Sequence, residues 1–264
     1  MARGRHSNHG LRDAYSNCAL EFEGHIPHLC SDLRLVSPEL PAGVSEDCPG
    51  ADGGVSTQTS YVALHVDIEQ DALSLEMSVS YCFTTIVESS PLATTEIPDA
   101  FMESIRPAPD SARLQEEDGQ FTFQQDTHLE IRGAVLDNPK SDDLPAEPED
   151  PRVFDQDEDG FPGMTVNINL LGAMEEQIYV VQRFQYELEG AVVSPDRIEG
   201  LIDWTDKQVI PAAANPMLLV GSDSEPDPDP GKHVFIMLRA QEDWTCDWLR
   251  DNWRQVFELE ENDG

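Results

Sequence analysis

Beyond about residue 57, apolar residues recur at every second position along most of the chain. Val62, Leu64, Val66 and Ile68 fall on one face of the run Tyr61–Ile68. Leu73, Leu75, Met77, Val79 and Tyr81 do the same in the next run, across the short link Glu69-Gln70-Asp71. Alternation of this length predicts antiparallel strands with one buried face. Shorter runs follow: Phe121 and Phe123; Leu129, Ile131, Gly133 and Val135; Met164, Val166, Ile168 and Leu170. The clearest lies between residues 178 and 188, where Ile178, Val180, Phe184, Tyr186 and Leu188 alternate with Tyr179, Val181, Arg183, Gln185 and Glu187. Ser194-Pro195-Asp196-Arg197 reads as a turn with proline at its second position. Ile198, Gly200, Ile202 and Trp204 then return as the partner strand, and Val234, Ile236 and Leu238 form the last one. Gly200 within that row marks a bend or a place where something packs against the backbone.

About eight or nine strands with polar turns and no helix between them predict a mainly β domain over residues 58–240. The expected architecture is an antiparallel up-and-down barrel of lipocalin-like form, with a two-sheet sandwich as the alternative. The C-terminal segment, 241–264, has a different period. Cys246, Leu249, Trp253 and Val256/Phe257 are spaced three or four apart, which predicts an amphipathic helix over 244–259 lying across one end of the β domain. Its tryptophans, Trp244, Trp248 and Trp253, are expected to fill a core. Residues 1–57 lack periodicity, are rich in Pro, Gly, Ser and Cys, and read as an irregular arm.

Charge narrows the choice of partners. The 264 residues include 52 acidic and 16 basic side chains, a formal net charge of -36. Such a surface repels nucleic-acid phosphates and anionic lipid and attracts cations and basic partners. Only Lys140, Lys207 and Lys232 are lysines. Acid excess with scarce lysine suits surroundings rich in salt or divalent cations, where screening removes self-repulsion. No apolar run reaches membrane-spanning length. The first ten residues are basic but lead into no apolar stretch, so the start as written shows no signal peptide. Five cysteines, Cys18, Cys30, Cys48, Cys82 and Cys246, leave at least one unpaired within a monomer. Three of them lie among turn formers in the first fifty residues, which suits disulfide stapling there.

The strongest candidate for chemistry is Asp155-Gln156-Asp157-Glu158-Asp159-Gly160, just before the strand run at 164–170. Alternate carboxylates ahead of a glycine turn can wrap several oxygens around one hard cation, and Ca²⁺ takes six to eight. The expected ligands are Asp155, Asp157, Asp159 and a backbone carbonyl near Phe161, with Asp150, Glu175 or Glu176 as further donors. Val166 stands where an EF-hand has its bidentate glutamate, so this is not an EF-hand. Cys18, His25, His28 and Cys30 are residue types that zinc favours, but their spacing matches no established finger. His65 sits opposite the apolar row of its strand and is expected at the surface. No G-x-S-x-G, H-E-x-x-H, P-loop or dinucleotide fingerprint occurs.

Several stretches together resemble a group of uncharacterised predicted secreted proteins and lipoproteins of myxobacteria and their relatives. They are Asp150-Pro151-Arg152-Val153-Phe154 leading into DQDEDGFPGMTV, then IYVVQR at 178–183, RIEGLIDW at 197–204, ANPMLL at 214–219 and DPDPGKH at 227–233. The resemblance spans about residues 60–250 and is strongest in the D-x-D-x-D-G-x-P-G-x-T-V block. It implies an envelope or extracellular location, and no activity. The sequence therefore points to a non-enzymatic, acidic, extracytoplasmic barrel with a Ca²⁺-stabilised loop, holding a small apolar ligand or a glycan. A cytoplasmic location is the alternative for a chain without a visible signal. Two other functions compete: a hydrolase with a carboxylate pair at the barrel rim, and a purely structural or adhesive surface protein.

Overall fold

The computed structural model describes residues 58–87, 94–170, 172, 174–219 and 226–259, together with the backbone of 33–40, 88 and 93. The chain is mainly β, as the alternation predicts. Eleven strands build one antiparallel sheet: β1 (Leu33–Leu40), β2 (Gln58–Asp71), β3 (Ser74–Glu88), β4 (Ala93–Glu96), β5 (Asp110–Glu117), β6 (Gln120–Gln125), β7 (His128–Arg132), β8 (Met164–Leu170), β9 (Met174–Ser194), β10 (Arg197–Ala213) and β11 (Val234–Arg239). Among the described residues two α-helices accompany them, α1 (Asp99–Ser104) and α2 (Cys246–Val256). Among the described residues no helix is long and apolar enough to cross a membrane.

The sheet runs β10-β11-β1-β2-β3-β5-β6-β9-β8-β4, and β9 also pairs with β10, so the pairings return to their start. The result is a curled sheet closed at one end. At the other end β3 extends beyond its pairing with β5, and α1 packs between β3 and β8. The order departs from a simple up-and-down meander because β4, β7 and β8 branch from the long strands. Strand β1 falls inside the segment read as an irregular arm. It pairs with both β2 and β11, and so belongs to the barrel wall. The remainder of that arm, including Cys18, His25, His28, Cys30 and Cys48, lies outside the described residues.

The predicted hairpin is the spine of the fold. Ser194 and Arg197 flank its two-residue turn, and β9 and β10 stay paired from there to Ile178 and Ala213. Along β9's other edge β6, β7 and β8 dock in succession. Ile178, Val180, Phe184, Tyr186 and Leu188 are buried in the main core with Ile198, Ile202 and Trp204, as their phase predicts. Gly200 is the site of close packing: it pairs with Gly190 on one side and Phe235 on the other, while Phe123 pairs with Gly190. The two phenyl rings, 6.0 Å apart between centroids, cover the bare glycine pair.

Helix α2 starts at Thr245, whose hydroxyl accepts from the Trp248 N–H, with Asp247 in the first turn and Arg254 in the last, both matched to the helix dipole. It does not cross a barrel end. It lies on the outer face of β2 and β3, burying Leu249, Trp253 and Phe257 against Tyr61, Ala63, Cys82 and Phe83. A bulge makes that outer face apolar: Ala63 pairs with Phe83 and Leu64 with Tyr81, leaving Cys82 as the extra residue. The Cys82–Cys246 disulfide then ties the helix to the sheet across 164 residues. His65, expected at the surface, is half-buried under this layer, bonded through Nε2 to the Trp244 carbonyl.

A Cβ at Gly200 would stand 2.1 Å from the Glu189 carbonyl oxygen and 2.6 Å from the Phe235 ring, whereas one at Gly119 would meet nothing. Gly200→Ala is therefore expected to cost about 3 kcal/mol or more in urea unfolding. Gly119→Ala, which has only its positive φ to oppose it, should cost about 1 kcal/mol. Equal losses would show that the closed end does not depend on the glycine row.

Candidate functional site

Strand β7 faces the opposite way from its sequence pattern. Leu129 and Ile131 are half-buried and Val135 is 67% exposed, while His128, Glu130 and Arg132 are 3%, 8% and 8% exposed. The charged row points into the barrel. Its members satisfy one another: His128 Nδ1 lies 2.8 Å from Asp110 and Nε2 lies 3.1 Å from Glu130. Arg132 Nε donates to Glu130 at 2.6 Å and Nη1 to Gln182 at 2.8 Å. Gln182 passes the chain on to Asp206 Oδ2 at 2.9 Å, and the Tyr81 hydroxyl donates to Glu130 at 3.0 Å. The guanidinium of Arg132 also lies 5.5, 5.8 and 5.2 Å from the ring centroids of Tyr81, Phe101 and Phe184.

Both ring nitrogens of His128 meet carboxylates, which only the doubly protonated ring can serve as a donor. Burial pulls its pKa down, but the bonds to Asp110 and Glu130 outweigh that and hold it at about 9. For Glu130 burial pushes up, and the charge of Arg132 together with its hydrogen bonds to His128 and Arg132 brings it to about 2. Asp206 is raised by burial, against the pull of its Gln182 bond.

Beside this network the barrel interior holds a cavity of about 280 Å³. Aliphatic side chains from β2, β3, β8 and β9 line most of it, among them Val62, Ile86, Val166 and Ile178. Phe101 and Met102 of α1 close the gap between β3 and β8. Its polar lining includes Tyr81, Arg132, Gln182, Trp204, Asp206 and Gln208, and Ser60, Thr84 and Thr95 sit among the aliphatic groups. Among the described residues Asp206 is the single carboxylate on this lining. Gly133 and Gly200, both in rows read as alternating, leave no space inside. Phe235 covers Gly200, and the Gly133 backbone passes against Gly163 and Val180.

The acidic loop forms as a compact unit between β7 and β8. Gly133 and Gly163, at φ 73° and 86°, cross in front of the Val180 carbonyl, and a Cβ at either would lie within 2.7 Å of that oxygen. Between them, Asp155 accepts from the N–H groups of Asp159 (3.1 Å) and Gly160 (2.8 Å). Asp157 accepts from the Thr165 N–H, and Asp159 accepts from the Phe161 N–H and the Thr165 hydroxyl. Asp155, Asp157 and Asp159 bring ligand oxygens within 4.8 Å of one another. Burial, together with the charges of Asp159 and Asp155, raises the Asp157 carboxyl, opposed by its Thr165 bond, and its Oδ1 is enclosed without a hydrogen-bond partner. The other expected donors stay away. Asp150 is held by Arg152, Glu176 reaches Asn215, and Glu175 is exposed. The Phe161 ring stacks on Tyr179 at 4.5 Å.

Sequence reading found the loop and missed the cavity wall. Gln182 sits in phase with the inward row of β9, and Asp206 and Gln208 extend that of β10. A polar residue in an apolar register was the available signal.

No family model, curated protein or solved structure matches the chain.

Free histidine titrates near 6.5, so the stability that His128 contributes is complete below that pH and is lost as pH rises through about 9. Glu130 contributes above 4.5 and loses its share as pH falls toward about 2. Urea midpoints measured from pH 6 to 10 should fall more steeply for the wild type than for His128→Gln. Parallel curves would remove the imidazolium from the network.

Proposed function

We propose that this is a non-enzymatic β-barrel protein that takes a small apolar ligand into its interior, with a Ca²⁺ held by Asp155, Asp157 and Asp159 bracing the loop beside it. The observation that carries this reading is the 280 Å³ cavity with its aliphatic wall, close to the lower size of known small-molecule sites. An apolar ligand suits the aliphatic part of that wall, where the hydroxyls of a glycan would meet Val, Ile and Leu side chains without partners. A purely structural protein would have had no reason to leave the space. The acidic surface and the Cys82–Cys246 disulfide favour an envelope or extracellular location, where such bonds persist.

The cation reading rests on chemistry within the loop. Oxygens 4.8 Å or less apart can share a Ca²⁺ at roughly 2.3–2.6 Å from each, and the enclosed, unpartnered Oδ1 of Asp157 is the kind of atom a cation satisfies. A phenylalanine carbonyl at 161 and solvent would complete the shell. The loop also touches the end of the helix whose Phe101 and Met102 line the cavity, since Gln156 Nε2 donates to the Ser104 carbonyl of α1 at 3.4 Å.

Ligand binding is tested with the uncharged fluorophore N-phenyl-1-naphthylamine. Saturable enhancement at micromolar concentration is expected, together with its loss in Ile86→Trp, which fills the cavity from a half-buried position. A folded wild type that leaves the fluorophore unchanged would defeat the reading.

The cation is tested by thermal melts at fixed ionic strength in Ca²⁺, Mg²⁺ and chelator. Ca²⁺ alone should raise Tm by several degrees, and Asp157→Asn should remove that rise without changing the melt in chelator. Equal shifts in Ca²⁺ and chelator would reduce the loop to a solvated turn.

A further inference from the structure

Three side chains with metal-ligating atoms, drawn from distant parts of the chain, converge beneath α2. His65 comes from β2, Cys82 from the bulge in β3, and Cys246 is the first residue of the helix. A ring nitrogen of His65 and the two sulfurs all lie within 4.8 Å of one another. His65 Nε2 is 3.0 Å from the Trp244 carbonyl, which can only accept. In the neutral ring Nε2 therefore carries the proton and Nδ1 keeps its lone pair. A ring N–H given to a backbone carbonyl is the usual way a metal-binding histidine is oriented. Cys246 opens an 11-residue helix capped by Thr245, a position that favours negative charge on its sulfur.

In the oxidised chain the two sulfurs are bonded to each other, and that bond ties α2 to the sheet. A dithiol reductant opens it by passing two electrons and two protons to the sulfurs, and itself closes to a disulfide. A divalent cation then displaces both thiol protons, and the two thiolates balance its charge. Two sulfurs and an imidazole select a borderline ion such as Zn²⁺ and tell against Ca²⁺ and Mg²⁺, which take oxygen. With bonds of roughly 2.3 Å to sulfur and 2.1 Å to nitrogen, a tetrahedral centre sets its ligand atoms about 3.5 Å apart. Small side-chain shifts reach that spacing from the present one. We propose that His65, Cys82 and Cys246 form a Zn²⁺ site in the reduced protein, with solvent as the fourth ligand. The metal then replaces the disulfide in holding α2 against β2 and β3, so the helix stays docked in reducing surroundings. This site is separate from the cavity and the acidic loop and does not depend on either.

The full chain carrying Cys18→Ser, Cys30→Ser and Cys48→Ser keeps Cys82 and Cys246 as its cysteines. A tertiary phosphine opens their bond, leaving as its oxide with oxygen from water. The reduced chain is titrated with Co²⁺, a coloured substitute for Zn²⁺, in excess Ca²⁺ to occupy carboxylates. One equivalent should produce a sulfur-to-cobalt charge-transfer band and the visible bands of a tetrahedral centre, and Zn²⁺ should abolish both. The oxidised chain should show neither. His65→Gln still has an N–H for the Trp244 carbonyl but no ring nitrogen, and should weaken Co²⁺ by about tenfold or more. Zn²⁺ should also raise Tm of the reduced chain by several degrees and leave the oxidised chain unmoved. Three results would overturn the site: a bond that the phosphine cannot open in the folded chain, a reduced chain without the charge-transfer band, or a folded His65→Gln chain that binds Co²⁺ as tightly as its parent.

Discussion

The row Phe123–Gly190–Gly200–Phe235, running across β6, β9, β10 and β11, is the constraint on which the rest of the fold depends. Where a sheet curls tightly, the inward side chains of neighbouring strands crowd one another, and glycines relieve that crowding. Two glycines in register remove those side chains, and the flanking phenyl rings fill the space from both neighbours. With that end shut and packed, the long hairpin β9–β10 projects toward the other end. There the strands are free to diverge, β7, β8 and α1 complete the wall, and the cavity forms.

Inside that wall the protein balances charges that its surface leaves unbalanced. Outside, a net charge of -36 is tolerable because water and counterions screen it. Inside, each of His128, Glu130 and Arg132 would be costly alone, and each is held by at least two partners. The network joins β7 to β9 and, through Gln182 and Asp206, to β10. It thus fixes the polar side of the cavity on the same strands that the glycine row positions. The acidic loop is placed by the same strand, because Gly133 and Gly163 can cross only where β9 offers the Val180 carbonyl. Loop, network and cavity are three faces of one long strand.

The alternation of apolar residues was enough to locate β2, β3, β8, β9 and β10 and the hairpin turn, since a strand half in water must repeat every second residue. The acidic loop was legible from its carboxylates, which are neighbours in sequence, and α2 from its three-to-four-residue apolar spacing. The alternation misread β7. There, Leu129 and Ile131 mark the outer side, because β7 docks against β9 with its charged row inward. Local pattern assumes that polar means outside, and that assumption fails where buried charges find each other across strands.

What the sequence determined by itself was therefore local: which segments are extended, where the chain turns, where acids cluster, and that the whole carries a large negative charge. The tertiary structure alone decided that β1 joins the barrel between β2 and β11, and that α2 lies on the outer face, tied through Cys82 to Cys246. It alone decided that His128, Glu130 and Arg132 meet Asp110, Gln182 and Asp206 beside an internal cavity. Each of these joins residues far apart in the chain. Periodicity reports the face a side chain takes relative to its own strand, whereas partnership across the barrel is set by register, which emerges only when all the strands close together.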